Sequence, residues 1–232
     1  MRTFVAGIVW GTWIGIGLAG IAEAQQTPAG YMMELRERFE HVPLGEVPSG
    51  WNEAETNGAG SRGAWQVVEA EPGREYDSDR RMVRLTKSTN EGSTYNLLMT
   101  KASVPSNFTM EVALRAESGG EDQGGGLFWH ARDKKNYMIT RWNPLERNLR
   151  IYRVENGVRT QIYGSGVNVD PKAWHVLRVE VKGSIVRVSL DNVLAIVCSA
   201  KPVSTGGRVG LWTKADAVTS FDRFEVKGQF GS

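Results

Sequence analysis

The sequence predicts an all-β protein, a two-sheet antiparallel sandwich preceded by one apolar N-terminal helix. Three observations carry this. From Trp51 onward the 232-residue chain divides into about a dozen short runs in which apolar and polar residues alternate. Gly, Asn and Asp stand between the runs, where tight turns need them. Ahead of them lies one long uncharged run, Phe4 to Ala22. Three regions follow: residues 1–24 as membrane segment or leader, 25–46 as linker, and 47–232 as the sandwich, for which eight tryptophans supply core bulk.

The apolar run would make a helix about 28 Å long, enough to cross a hydrocarbon core. Its end, Ala22-Glu23-Ala24 before Gln25-Gln26, also fits the small-x-small pattern of a signal-peptide cleavage site. Transmembrane anchor and cleaved signal peptide both stay open. Gly7, Gly11, Gly15 and Ala19 recur every four residues on one helix face. That spacing lets another transmembrane helix of a membrane assembly approach closely. Arg2 at one end and Glu23 at the other orient the N-terminus to the cytoplasm. The expected location is therefore a bacterial cell membrane, single-pass, with the sandwich in the periplasm, or the free periplasm after cleavage.

In the linker, Tyr31, Leu35 and Phe39 fall at i, i+4 and i+8 with charges between them, which predicts a short amphipathic helix ended by Pro43 and Pro48. Strands are then expected in "AWQVVEAE", "RMVRLTK", "TYNLLMTK", "FTMEVALRAE", "GGLFWHARD", "NYMITRW", "NLRIYRV", "WHVLRVEV", "SIVRVSL", "VLAIVCS", "RVGLWTK" and "FDRFEVKG". Asn156-Gly157, Lys182-Gly183 and Asp191-Asn192 mark tight hairpins. The segment "AESGGEDQGGG" reads as a long loop, and "YGSGV" around Ser165 as a turn. Leu177, Val179 and Val181 share a face opposite Arg178 and Glu180, so each strand has one core side.

Charge excludes little but nucleic acid. The balance of 28 basic and 26 acidic residues gives +2, with no basic run to track a phosphate backbone. The lone Cys198 permits no intrachain disulfide and sits in an apolar strand, as a small buried hydrophobe would.

Three stretches carry a family resemblance: "GGGLFWHARDKKNYMITRWNPLERNLRIYRVENG", "WHVLRVEVKG" and "GGRVGLWTKADAVTSFDRFEV". Across Val47 to Gly228 the chain resembles concanavalin A-like and laminin G-like jelly rolls, and within them the 3-keto-disaccharide hydrolase-like domains. The resemblance implies a jelly-roll sandwich, a sugar ligand, and a calcium ion on the convex face, for which Asp222 and then Asp216 are the candidate ligands. His130 stands where such domains often carry Arg, and Met138 where they often carry a second aromatic; both changes fall on the expected ligand strip.

Glycoside cleavage needs two flanking carboxyl groups, and sandwich glucanases set theirs as Glu-x-Asp-x-Glu along one strand. The nearest approach here is Glu75, Asp77 and Asp79 in "PGREYDSDRR", which reads as a solvated or calcium-binding loop. The stronger cluster is His130, Asp133, Asn136, Tyr137, Arg141, Asn143, Glu146 and Asn148 on neighbouring strands. Tyr137, Ile139, Arg141 and Asn143 alternate onto one face, where a ring beside hydrogen-bonding groups suits a sugar. Alternatively, Arg141 and Glu146 pair with each other and brace the sheet. Trp142 and Trp212 are expected as exposed aromatics, equally suited to protein or sugar contact.

Two functions follow. One is a non-catalytic interaction or scaffold subunit of a membrane assembly, respiratory or photosynthetic; the alternative is a periplasmic carbohydrate-binding or glycoside-cleaving domain. Expected partners are the membrane, other transmembrane helices and a glycan, and no catalytic residue is assigned.

Overall fold

A computed structural model describes residues 32–58, 63–70 and 80–229. The N-terminal segment with its Gly7, Gly11, Gly15 and Ala19 stripe, Tyr31, and the Glu75-Asp77-Asp79 loop lie outside the described residues. The rest is all-β, a jelly-roll sandwich of two antiparallel sheets. Its strands are β1 (Met32–Glu37), β2 (Trp51–Thr56), β3 (Ala64–Glu69), β4 (Arg81–Lys87), β5 (Tyr95–Val104), β6 (Asn107–Ser118), β7 (Gly125–Asp133) and β8 (Asn136–Asn143). They continue with β9 (Asn148–Glu155), β10 (Val158–Gly166), β11 (His175–Lys182), β12 (Ile185–Leu190), β13 (Val193–Ser199), β14 (Gly207–Lys214) and β15 (Val218–Gln229). One sheet runs β13-β12-β11-β6-β15-β4-β3, with β1 also paired to β15; the other runs β10-β9-β8-β7-β14-β5-β2.

All twelve expected strands form. Asn156 and Gly157 (φ 52° and 82°) and Asp191 and Asn192 (51° and 64°) take the left-handed conformations of tight hairpins. The third hairpin turns one residue later than expected, because Lys182 pairs with Ile185 and leaves Gly183 (φ 60°) and Ser184 at the tip. The linker helix is not there: its residues form β1, antiparallel to β15 from Met32↔Gln229 to Glu37↔Phe224. A spacing of four fits a period of two as well as one near 3.6, so the same apolar positions serve a strand. Met33 and Leu35 pack on the core while Met32, Glu34 and Arg36 face solvent. Ser165 lies within β10, not in a turn.

Between the sheets sits the main core. Leu127, Trp129, Met138, Trp142, Leu149, Ile151 and Leu211 of the seven-stranded sheet meet Val112, Leu114, Leu177, Val179, Val188 and Phe221 of the other. The seven-stranded sheet carries a second apolar layer on its outer face: Tyr95, Leu97, Phe128, Tyr137, Ile139, Tyr152, Val154 and Trp212. The register requires this, since Ile139 pairs with both Phe128 and Tyr152, and Tyr137 with Val154. Strand β8 is therefore buried at every one of its positions. Trp142 and Trp212, expected to be exposed, are 1% exposed each, one in either layer.

The inner layer dominates stability. Trp142→Ala is expected to cost about 3–5 kcal/mol, whereas the solvent-facing Val197→Ala changes stability by about 0.5 kcal/mol or less. Urea unfolding followed by tryptophan fluorescence checks both, and comparable losses would place Trp142 outside the core.

Candidate functional site

The site grows from one row of paired residues across the seven-stranded sheet. Register aligns Arg150 (β9) with Arg141 (β8), Arg141 with Gly126 (β7), and Gly126 with Trp212 (β14). Side chains in such a row share a face, here the outer one. Gly126 is required: a Cβ there would meet the Thr140 carbonyl oxygen at 1.8 Å and the Arg141 Cα at 2.8 Å.

The turn after β8 brings a carboxylate back over this row. Asn143 Oδ1 accepts the Glu146 N–H at 3.0 Å and shapes the loop. Arg141 Nη2 then donates to both Glu146 oxygens at 3.1 Å and reaches Tyr152 Oη at 3.3 Å. Asn148 Nδ2 and Arg150 Nη1 each reach Glu146 Oε2 at 3.0 Å. Asn143 Nδ2 donates to Asp122 Oδ1 at 2.9 Å, and Lys214 Nζ lies 3.1 Å from Asp122 Oδ2. Burial alone would raise the Glu146 pKa, but the Asn148 amide and the Arg141 and Arg150 guanidiniums hold it below the usual carboxylate range.

Arg141 is 1% exposed, and its Nε and Nη1 have no hydrogen-bond partner. Asn148 Oδ1 and Arg159 Nη1 are likewise buried and unpartnered. Arg159, from β10, lays its guanidinium over three rings of the outer layer: Tyr152 at 4.3 Å, Tyr95 at 5.1 Å and Trp212 at 5.8 Å. Arg141 sits 5.8 Å from the same Tyr152 ring.

Of the eight residues singled out in the sequence, Arg141, Asn143, Glu146 and Asn148 come together here. Tyr137 shares the face, but its hydroxyl is occupied in a chain from Trp212 Nε1 (3.3 Å) through Tyr137 Oη to Thr56 Oγ1 (2.9 Å) and the Lys134 carbonyl (2.6 Å). Burial pushes its phenol pKa well up, so it stays protonated. Asp133 and Asn136 close the β7–β8 turn through Asn136 Nδ2 to Asp133 Oδ1 at 2.9 Å. His130 turns away from this cluster: the strand bulges between Trp129 and Asp133, φ is +51°, and the ring meets Phe108 edge-on while Nε2 contacts the Ser106 carbonyl at 3.1 Å. Burial lowers its pKa. Arg150, Tyr152, Arg159, Asp122 and Lys214 were missed. The first two were legible, because Asn148, Arg150 and Tyr152 alternate onto one face of "NLRIYRV".

The two residues expected as calcium ligands are engaged by backbone N–H groups. The Asp216 carboxylate accepts the backbone N–H groups of Gly120 (2.6 Å), Glu121 (3.1 Å) and Asp122 (3.0 Å), and so ties down the loop that carries Asp122. Asp222 is 1% exposed and accepts the Arg223 N–H at 2.7 Å in a bulge of β15. Among the described residues no three His, Cys, Asp or Glu are gathered as a metal site.

Comparison with known proteins agrees at the level of fold. The carbohydrate-binding module CBM66 from Bacillus subtilis superposes with a TM-score of 0.57 at 21% identity, over 76% of this chain and 94% of that one. A protein of unknown function with a galectin-like fold, also from Bacillus subtilis, gives 0.54 at 9% identity, over 84% and 100%. The Emp47p carbohydrate recognition domain gives 0.51 at 17%, over 86% and 95%. No protein-family model and no curated relative matches the chain. The likeness is to the galectin and concanavalin type of sandwich, and the narrower 3-keto-disaccharide hydrolase assignment gains nothing from it.

Asp216 also sets an acid limit on the site. Burial raises its pKa, but the three N–H donors outweigh burial and hold it below the usual range. A depressed folded pKa contributes stability above the unfolded value and loses it as pH falls through the folded one. Thermal melts should therefore be flat near neutrality and decline below about pH 4. Asp216→Asn should start lower and decline less steeply; parallel pH profiles would contradict the role given to this carboxylate.

Proposed function

We propose that the sandwich is a non-catalytic carbohydrate-binding module whose ligand rests on the outer face of the seven-stranded sheet, beside the β8–β9 turn. The observation that carries this reading is the set of buried polar atoms without partners in one cluster: Arg141 Nε and Nη1, Arg159 Nη1 and Asn148 Oδ1. Buried polar groups are almost always hydrogen-bonded, and each one left unpaired costs about 1–3 kcal/mol. Three donors and an acceptor beside a layer of buried aromatic rings suit a sugar, whose hydroxyls take both roles. The fold shared with a carbohydrate-binding module and a carbohydrate recognition domain is consistent with it.

The carboxylates of this cluster support binding without cleavage. A glycosidase needs one carboxylic acid kept protonated near neutral pH and a second group free to act as base or nucleophile. Glu146 is held ionised between Arg141, Arg150 and Asn148, and Asp122 is paired with Lys214 and Asn143. Glu146 is therefore not available as the acid.

In this proposal the apolar run at residues 4–22 exports the module, as anchor or as leader, to a compartment where glycans are displayed. A scaffold role in a membrane assembly has no support among the described residues.

Affinity electrophoresis of the full-length protein in mild detergent, against neutral and acidic polysaccharides, tests the reading. Retardation by at least one glycan is expected, with no sugar released on prolonged incubation. Asn148→Ala should weaken that binding about fivefold, the value of one hydrogen bond of about 1 kcal/mol. Unretarded migration in every polysaccharide would contradict the reading.

A further inference from the structure

Charge on the outer face is unbalanced. Three guanidiniums, Arg141, Arg150 and Arg159, lie on one side of the sheet; Arg141 and Arg150 share Glu146, and Asp122 also acts on Arg150. Arg159 has no ion pair or hydrogen-bond partner among the described residues for its buried Nη1; its contacts are the faces of Tyr152, Tyr95 and Trp212. Asp122, the other carboxylate near this row, does not offset Arg159, because it is already paired with Lys214. Stacking on aromatic rings holds a guanidinium plane in place and leaves its N–H edge free to donate. Tyr152 is stacked in this way by Arg159 and approached by Arg141, at 4.3 and 5.8 Å from its ring centre. Unpartnered N–H groups of two arginines are thus held around a single tyrosine.

A neutral sugar would satisfy those donors one hydroxyl at a time and leave the excess charge in place. A carboxylate would meet them with two oxygens and cancel a charge in the same step, and a planar guanidinium edge matches a planar carboxylate. We infer that the ligand is an acidic glycan, and that a uronic acid carboxylate docks at the guanidiniums of Arg141 and Arg159, which flank the buried Tyr152 ring. This inference rests on the glycan-binding reading above and narrows it to a sugar class. Asn148 Oδ1, also unpartnered, accepts a ring hydroxyl of the same residue.

The test compares polygalacturonate, alginate and hyaluronan with methyl-esterified polygalacturonate, neutral glucan and fructan, and dextran sulfate, again with the full-length protein in detergent. Binding to a uronate polymer is expected. Esterification, which keeps the sugar and removes the charge, should weaken that binding about tenfold or more, the value of a hydrogen bond to a charged group. Arg159→Gln should cause a similar loss and Arg159→Lys a smaller one, with thermal melts showing that each variant is folded. The comparison of acid with ester needs no variant, so it decides even if a substitution unfolds the domain. Equal binding of acid and ester, or binding of neutral polymers alone, would overturn the inference and leave the glycan reading standing. Equally tight, equally salt-sensitive binding of dextran sulfate would also overturn it, by reducing the attraction to unspecific charge. Binding of no polymer at all would overturn both.

Discussion

Burial of β8 on both sides is the constraint from which the rest of the domain follows. Antiparallel sheets commonly leave one face to water, and a strand with a period of two then shows one polar side. Here Met138 and Trp142 point into the inter-sheet core, and Tyr137, Ile139 and Arg141 point into a second buried layer, over which the half-buried Arg159 lies. Arg141 and Trp142 are neighbours in sequence, so a slip of one residue would put the guanidinium in the core and the indole outside. Packing of the tryptophan thereby fixes where the positive charge stands.

That placement gives the outer face its character. A guanidinium in a closed layer needs anions or ring faces, and the hairpin returning from β8 to β9 supplies Glu146 within five residues. The hairpin from β9 to β10 brings Arg159 back over Tyr152 with no carboxylate to meet it among the described residues. The donors therefore stand on strands braced by the core, and a site built on strands holds its geometry better than one built on loops. Asp216 adds a second brace by anchoring residues 120–122 at the same end of the sheet.

The sandwich was legible because most strands alternate cleanly and because Asn-Gly and Asp-Asn pairs allow positive φ where the hairpins turn. The failures have local causes. The apolar spacing of four in β1 satisfies a helical period as well as a strand's, and pairing to β15, nearly two hundred residues away in sequence, decides for the strand. β2 and β10 lack a strand signature in the sequence because they are the two edges of their sheet, where polar residues and glycine replace the apolar face. In the site, Arg141, Asn143, Glu146 and Asn148 could be read together because one short turn joins them. Arg159, Asp122 and Lys214 could not, since only the sheet order brings them near. His130 was misplaced by a bulge that its sequence does not announce.

Backbone amide chemical-shift mapping of an isotopically labelled sample during titration with a glycan that it binds tests the central claim most directly. The account predicts that the perturbed amides cluster at residues 141–152 and at Arg159, Trp212 and Lys214, on the outer face of the seven-stranded sheet. Perturbations confined to the opposite sheet, around Glu111, Arg178 and Arg187, would contradict it.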